Sequence, residues 1–134
     1  MRRALLVAAV VALPLAGCGA APQTSKSKFK GEQQKVAQVV DDLAAAGRSG
    51  DADKICADIL SKSLVAELKS AGGDCVSEMK SAIADASDYD LRVRTVKVRG
   101  NPATAEVRQG DKGAVATFSF VKEAGAWRAS QLGA

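Results

Sequence analysis

The chain has 134 residues, 19 of them basic and 15 acidic, with no histidine, three cysteines and five aromatics. That length suits one domain, and the missing histidine excludes Ser-His-Asp and Cys-His catalysis, the ordinary catalytic zinc sites and the common proton shuttle near neutral pH. So few aromatics argue against a stacking platform for single-stranded nucleic acid.

Residues 1–17 read as a segment outside the fold. Arg2 and Arg3 make a charged start, and an apolar run of thirteen residues follows over 4–16. A membrane-spanning helix needs about 20 apolar residues, whereas the core of a secretory signal needs about 7–15. The run closes on Leu15-Ala16-Gly17-Cys18. This resembles the bacterial lipoprotein signal, in which the cysteine sulfur takes a diacylglyceryl group and cleavage leaves it as the first mature residue. The resemblance implies lipidation at Cys18 and a cell-membrane address on the extracytoplasmic face. Two or more acyl chains hold a protein stably, at about 0.8 kcal/mol per buried CH₂. The alternatives are a buried core helix, or a plain secretory signal with an incidental cysteine.

Removing Arg2 and Arg3 leaves 17 basic against 15 acidic residues, and from Gly31 onward the count is 14 against 15. The positive balance therefore belongs to the signal and the stretch behind it. It is no evidence for nucleic-acid binding, which calls for a basic patch on the folded domain. Residues 18–31 are small, polar and basic, and read as a lipid-anchored flexible tether. Lys26, Lys28 and Lys30 either lie near anionic headgroups or are simply solvated.

The folded domain is expected over 32–134. Val36, Val39, Val40 and Leu43 fall at helical spacing, with Lys35, Gln38, Asp41 and Asp42 off the stripe. Gly47 and Gly50 mark a stop, and Asp51 caps a second helix carrying Ile55, Cys56, Ile59 and Leu60. A short helix with Leu64, Val65 and Leu68 ends at Gly72-Gly73. Asp74 caps another, with Cys75, Val76, Met79 and Ile83 on one side.

Residues 91–99, 103–108, 114–121 and 126–132 alternate as strands, with turn-like residues between them. Short connections make an antiparallel meander. Helices followed by strands give an α+β fold, with N-terminal helices packed on a four-stranded sheet. In the first strand Leu91 and Val93 are odd-numbered but Val96 and Val98 are even-numbered. A strand has period two, so a β-bulge near Arg94 or Thr95 is expected to restore the phase and bend the strand.

If Cys18 carries lipid, two cysteines remain. Cys56 and Cys75 sit on apolar stripes in an exported, oxidising compartment, where disulfides persist. A bond between them closes a loop of about twenty residues, worth roughly 3 kcal/mol in the chain-entropy model. Two buried free thiols or a metal site are the alternatives, but two thiolates without histidine make a poor ligand set. No C-x-x-C spacing points to redox activity.

The order of these pieces is similar to small actinobacterial lipoproteins of the nuclear transport factor 2-like (cone-fold) superfamily. It is carried by Ala44-Ala45-Ala46 leading into Gly50-Asp51-Ala52, by Cys56 and Cys75, and by Trp127-Arg128 in "GAWRASQL". The resemblance implies a curved sheet wrapped around helices, with a pocket at the open end of a cone and, in many members, a dimer formed through the sheet. Members include isomerases, dehydratases and hydrolases as well as proteins without known catalysis, so the fold does not choose a function.

The residues favour binding over catalysis. Glu106 points away from the face that Ala105 and Val107 bury, Asp111 and Glu123 fall in turns, and Tyr89 and Asp90 read as a solvated lead-in to the first strand, with a pocket mouth as the alternative. No catalytic residue, cofactor or metal site is assigned. Arg92, Arg94, Lys97, Arg99, Arg108 and Arg128 read either as a cationic sheet face for an anionic partner or as a solvated face with cross-strand pairs. Trp127 reads as a core anchor. The expected function is a non-enzymatic, lipid-anchored module that binds a small apolar or anionic ligand or an envelope protein. The alternative is a cone-pocket hydrolase or isomerase acting on a small apolar substrate.

Overall fold

The computed structural model describes residues 24–133 apart from Ser87. The expected signal peptide over 1–17 and the lipidation site Cys18 lie outside the described residues.

A 3₁₀ turn at Lys26–Lys28 is followed by α1 (Gly31–Ser49), α2 (Ala52–Lys54), a π turn (Ile55–Ile59), α3 (Lys62–Ser70) and α4 (Cys75–Asp85). The strands β1 (Leu91–Val98), β2 (Ala103–Gln109), β3 (Val115–Glu123) and β4 (Ala126–Leu132) form one antiparallel sheet in the order β1-β2-β3-β4. The fold is α+β, with a meander sheet as the strand spacing predicts.

The caps follow the sequence. Asp51 accepts from the Lys54 amide and Asp74 from the Ser77 amide, each satisfying a donor that a helix start leaves free. Ser61 does the same for α3 through Leu64. Helix α1 stops at Gly50, whose φ of 70° suits glycine. The second expected helix is cut short. After α2 the backbone winds as a π turn, and Leu60 extends to make a parallel bridge with Ala129 of β4. That tertiary pairing overrides the local helical preference.

Helix α1 lies mainly against β1 and also reaches β2 and β4. Val36 and Val40 are fully buried beneath it, together with Ile55, Leu60, Val93, Val107 and Phe120. Burial stabilises each of these side chains by about 1.5–3 kcal/mol. The expected bulge is present: the β1–β2 register shifts between Val93 and Thr95, leaving Arg94 as the extra residue. A second shift in β3–β4 falls between Ser119 and Phe120.

Residues 24–31 correct two expectations. The stretch assigned to a tether joins the packed domain from Ser25 onward. The Ser25 and Lys26 amides donate to the Asp41 carboxylate at 2.8–3.0 Å, and the Val93 amide donates to Ser25 Oγ at 3.0 Å. Phe29 packs on the core. Asp41, expected on the solvated side of α1, is therefore buried, because three hydrogen bonds from two backbone amides replace its water. The segment also covers part of β1, which is an edge strand.

Candidate functional site

The end of the sheet where α1 stops holds an apolar pocket of about 180 Å³. Leu43, Ala44 and Gly47 line it from α1, and Met79, Ala82 and Ile83 from α4. Tyr89 and Leu91 complete it where the chain enters β1, with Ile55 and Leu132 deeper and Asp88 and Gln109 at its polar margin.

Each wall has a local cause. A side chain at Gly47 would place its Cβ 3.2 Å from the Tyr89 ring, so glycine lets the ring close against α1. The 88–90 segment is pinned by Gln109 Nε2 donating to the Asp88 carbonyl at 2.8 Å and by the Gly110 amide donating to the Asp90 carbonyl at 2.7 Å. Helix α4 is held at its start by the Cys56–Cys75 disulfide, with a Cα–Cα separation of 6.1 Å. This bond also suggests an extracytoplasmic setting.

Tyr89 is half-buried in the pocket wall, not a solvated lead-in to β1. Its hydroxyl donates to the Ile83 carbonyl near the end of α4, where helical carbonyls lack intrahelical partners. Asp90 sits outside the lining and pairs with Arg92 at 3.0 Å. Asp88 is exposed, and its Oδ1 accepts from the Asp90 amide. Among the described residues no group of three or more His, Cys, Asp or Glu could hold a metal ion. No helix among them is long and apolar enough to cross a membrane.

The structure divides the basic set in three. Arg92 and Arg108 face each other across β1 and β2, with Arg94 on the bulge beside them. Together with Lys28, Val93 and one acid, Asp111, which pairs with Arg92, they line an open groove of about 380 Å³. Lys97 and Arg99 lie toward the opposite end of β1. Arg128 is on β4 and donates from Nη1 to the Ala57 carbonyl at 2.8 Å. Glu106 is exposed, as its phase predicts, and accepts from Thr95 Oγ1 at 3.1 Å.

At that opposite end Trp127 is buried and donates from Nε1 to Glu32 at 2.7 Å. Lys35 and Lys122 reach the same carboxylate at 2.8 and 2.9 Å, and Lys122 lies 5.2 Å from the indole centroid. Hydrogen bonds from Lys35, Lys122 and Trp127 hold the Glu32 carboxyl well down, from an ordinary 4.5 to about 2.

Sequence reasoning missed Asp41 and Ser25, and of its two readings of Tyr89 the pocket position is the one found. Asp41 and Ser25 carried no local signal, because the partners that bury them are distant in sequence. No family model, curated protein or solved structure matches the chain.

Proposed function

We propose that the protein is a lipid-anchored extracytoplasmic binding module, non-enzymatic, which holds a small apolar molecule in the pocket beneath Tyr89. The lipid is carried by Cys18, and the domain is of the nuclear transport factor 2-like kind, with its sheet bent into a cone. The bulge at Arg94 and the register shift at Ser119/Phe120 support that bend. The exposed outer face of the sheet remains the surface for an envelope partner or a second copy.

The observation that carries the reading is the pocket's chemistry: a nearly continuous apolar lining with only Asp88 and Gln109 at its margin. An apolar cavity of about 150 Å³ stays dry and takes up a benzene-sized guest. Drug-sized ligands call for about 300–1,000 Å³. The ligand class is therefore a single ring, a short alkyl group or the tip of an acyl chain. A hydrolase or isomerase needs a base held against its substrate, but the Tyr89 hydroxyl is already committed to the Ile83 carbonyl.

Two measurements test the reading. Cys18→Ser should move the protein out of the membrane fraction, and an unchanged membrane fraction would overturn the anchor. Native mass spectrometry of protein purified without reductant should find a small apolar mass that departs on denaturation. It should be absent from Ala82→Phe, in which the new ring fills the pocket from an exposed helix position. Turnover of a small apolar ester or enone by the purified protein would favour an enzyme instead.

A further inference from the structure

We propose that the groove formed by Lys28, Arg92, Arg94 and Arg108 binds the phosphate of an anionic lipid headgroup in the leaflet that anchors the chain. The proposal rests on the lipid attachment at Cys18 argued above.

The first support is an imbalance of charge. Arg92 and Arg108 stand directly opposite each other on neighbouring strands, an arrangement that is destabilising unless counter-ions relieve it. Arg92 takes the two nearby acids, Asp90 at 3.0 Å and Asp111 at 2.6 Å. Lys28, Arg94 and Arg108 form no ion pair among the described residues. Arg108 Nε is buried with no hydrogen-bond partner among them, so part of its guanidinium is desolvated without a counter-charge there. An open groove with three uncompensated cations around it suits a phosphate, which guanidinium groups bind through paired N–H donors.

The second support is where the chain leaves the fold. Ser25 is hydrogen-bonded to the Val93 amide, and Val93 lies in sequence between Arg92 and Arg94. Six residues lie between Cys18 and Ser25, and the seven steps from one to the other can span at most about 25 Å. A lipid at Cys18 therefore confines the groove to within that distance of the bilayer surface. Such confinement raises the effective concentration of headgroups to a level at which weak binding is occupied. Each basic residue near an anionic surface strengthens the contact about fivefold, and the contact weakens as salt shortens the Debye length. The Arg94 bulge also gains a purpose: it restores the core phase of β1 and turns one more cation into the groove.

The test uses the full lipidated chain in vesicles of phosphatidylcholine alone or with 30 mol % phosphatidylglycerol (about one anionic lipid in three). Flotation first reports the anchor. Protein that fails to float in either lipid overturns both readings, because this one depends on the anchor. For protein that floats, the rate of acetylation at Lys28 is compared with that at Lys69, which ends α3 beside the far edge strand β4. The expected result is about fivefold or greater protection of Lys28 in the phosphatidylglycerol vesicles alone, lost in 0.5 M salt and in Arg94→Gln. Arg94 is exposed on the bulge, so its loss leaves the core intact. Equal Lys28 rates in both lipids, with the protein afloat, overturn the headgroup proposal and leave the anchor standing. Equal protection by millimolar glycerol phosphate over phosphatidylcholine overturns the lipid source in favour of a free phosphate.

Discussion

Where α1 begins, the Glu32 carboxylate gathers Lys35, Lys122 and the Trp127 indole at 2.7–2.9 Å, and Trp127 fills the space beneath. Where α1 stops, the same sheet encloses an apolar pocket on its inner face and, beside its outer face, three cations without an ion pair among the described residues. The two ends share one helix, four strands and similar residue types. They differ in whether polar groups find partners inside the chain. Charges that satisfy each other close a fold, whereas a preorganised set left without partners is available to something that arrives from outside. The contrast locates binding at the end where α1 stops and structural closure at the end where it begins.

The sharpest way to break that contrast is to damage the closed end. Trp127→Ala should cost about 3–5 kcal/mol in urea denaturation, whereas Ala82→Phe at the pocket should change stability by about 0.5 kcal/mol or less. If the two variants were equally destabilised, the division between closure and binding would fail. Next in size is the disulfide. Replacing both Cys56 and Cys75 by alanine should cost roughly 3 kcal/mol and should loosen α4, one wall of the pocket, before the sheet. Hydrogen exchange would report this as early loss of protection in 75–85 with β2 and β3 unaffected. Asp41→Ala should cost about 1–3 kcal/mol, since two buried amide donors lose their acceptor. Asp41→Asn should recover part of it.

The smallest effect is a pH dependence confined to the closed end. Glu32 has its folded value lowered from 4.5 to about 2. Its contribution to stability is therefore complete above about pH 4.5 and is lost as pH falls through the folded value near 2. Trp127 fluorescence followed from pH 6 to pH 2 should change in that window for the wild type. Glu32→Gln should remove the transition, and a wild-type midpoint near 4.5 would mean that the three donors do not act on Glu32 in solution.

Features set by neighbours in sequence were legible. The caps at Asp51 and Asp74, the hairpin turns, the outward aim of Glu106 and the phase break at Arg94 all follow from spacing within a few residues. Cysteine counting led to Cys56 and Cys75. What was not legible depends on distant partners. Asp41 reads as a solvated helix residue until the Ser25 and Lys26 amides, sixteen and fifteen positions away, fold back onto it. Ser25 reads as linker because its partner, Val93, is 68 residues downstream. The helix expected through Leu60 yields to a bridge with Ala129. Tyr89 reads as a strand entry or a pocket mouth, and the sequence does not choose, because Gly47 and Ile83 meet it only in three dimensions. The six basic residues likewise share one strand pattern but divide among three places.

The most direct test of the pocket follows from a compositional accident. The chain has two methionines, Met1 and Met79 in the pocket wall, so a chain cleaved before Cys18, as proposed, and labelled at the methionine methyl gives one resonance. Added benzene should shift that resonance progressively in the wild type and leave it unmoved in Ala82→Phe. A wild-type Met79 signal that does not move at millimolar benzene would contradict an apolar binding pocket.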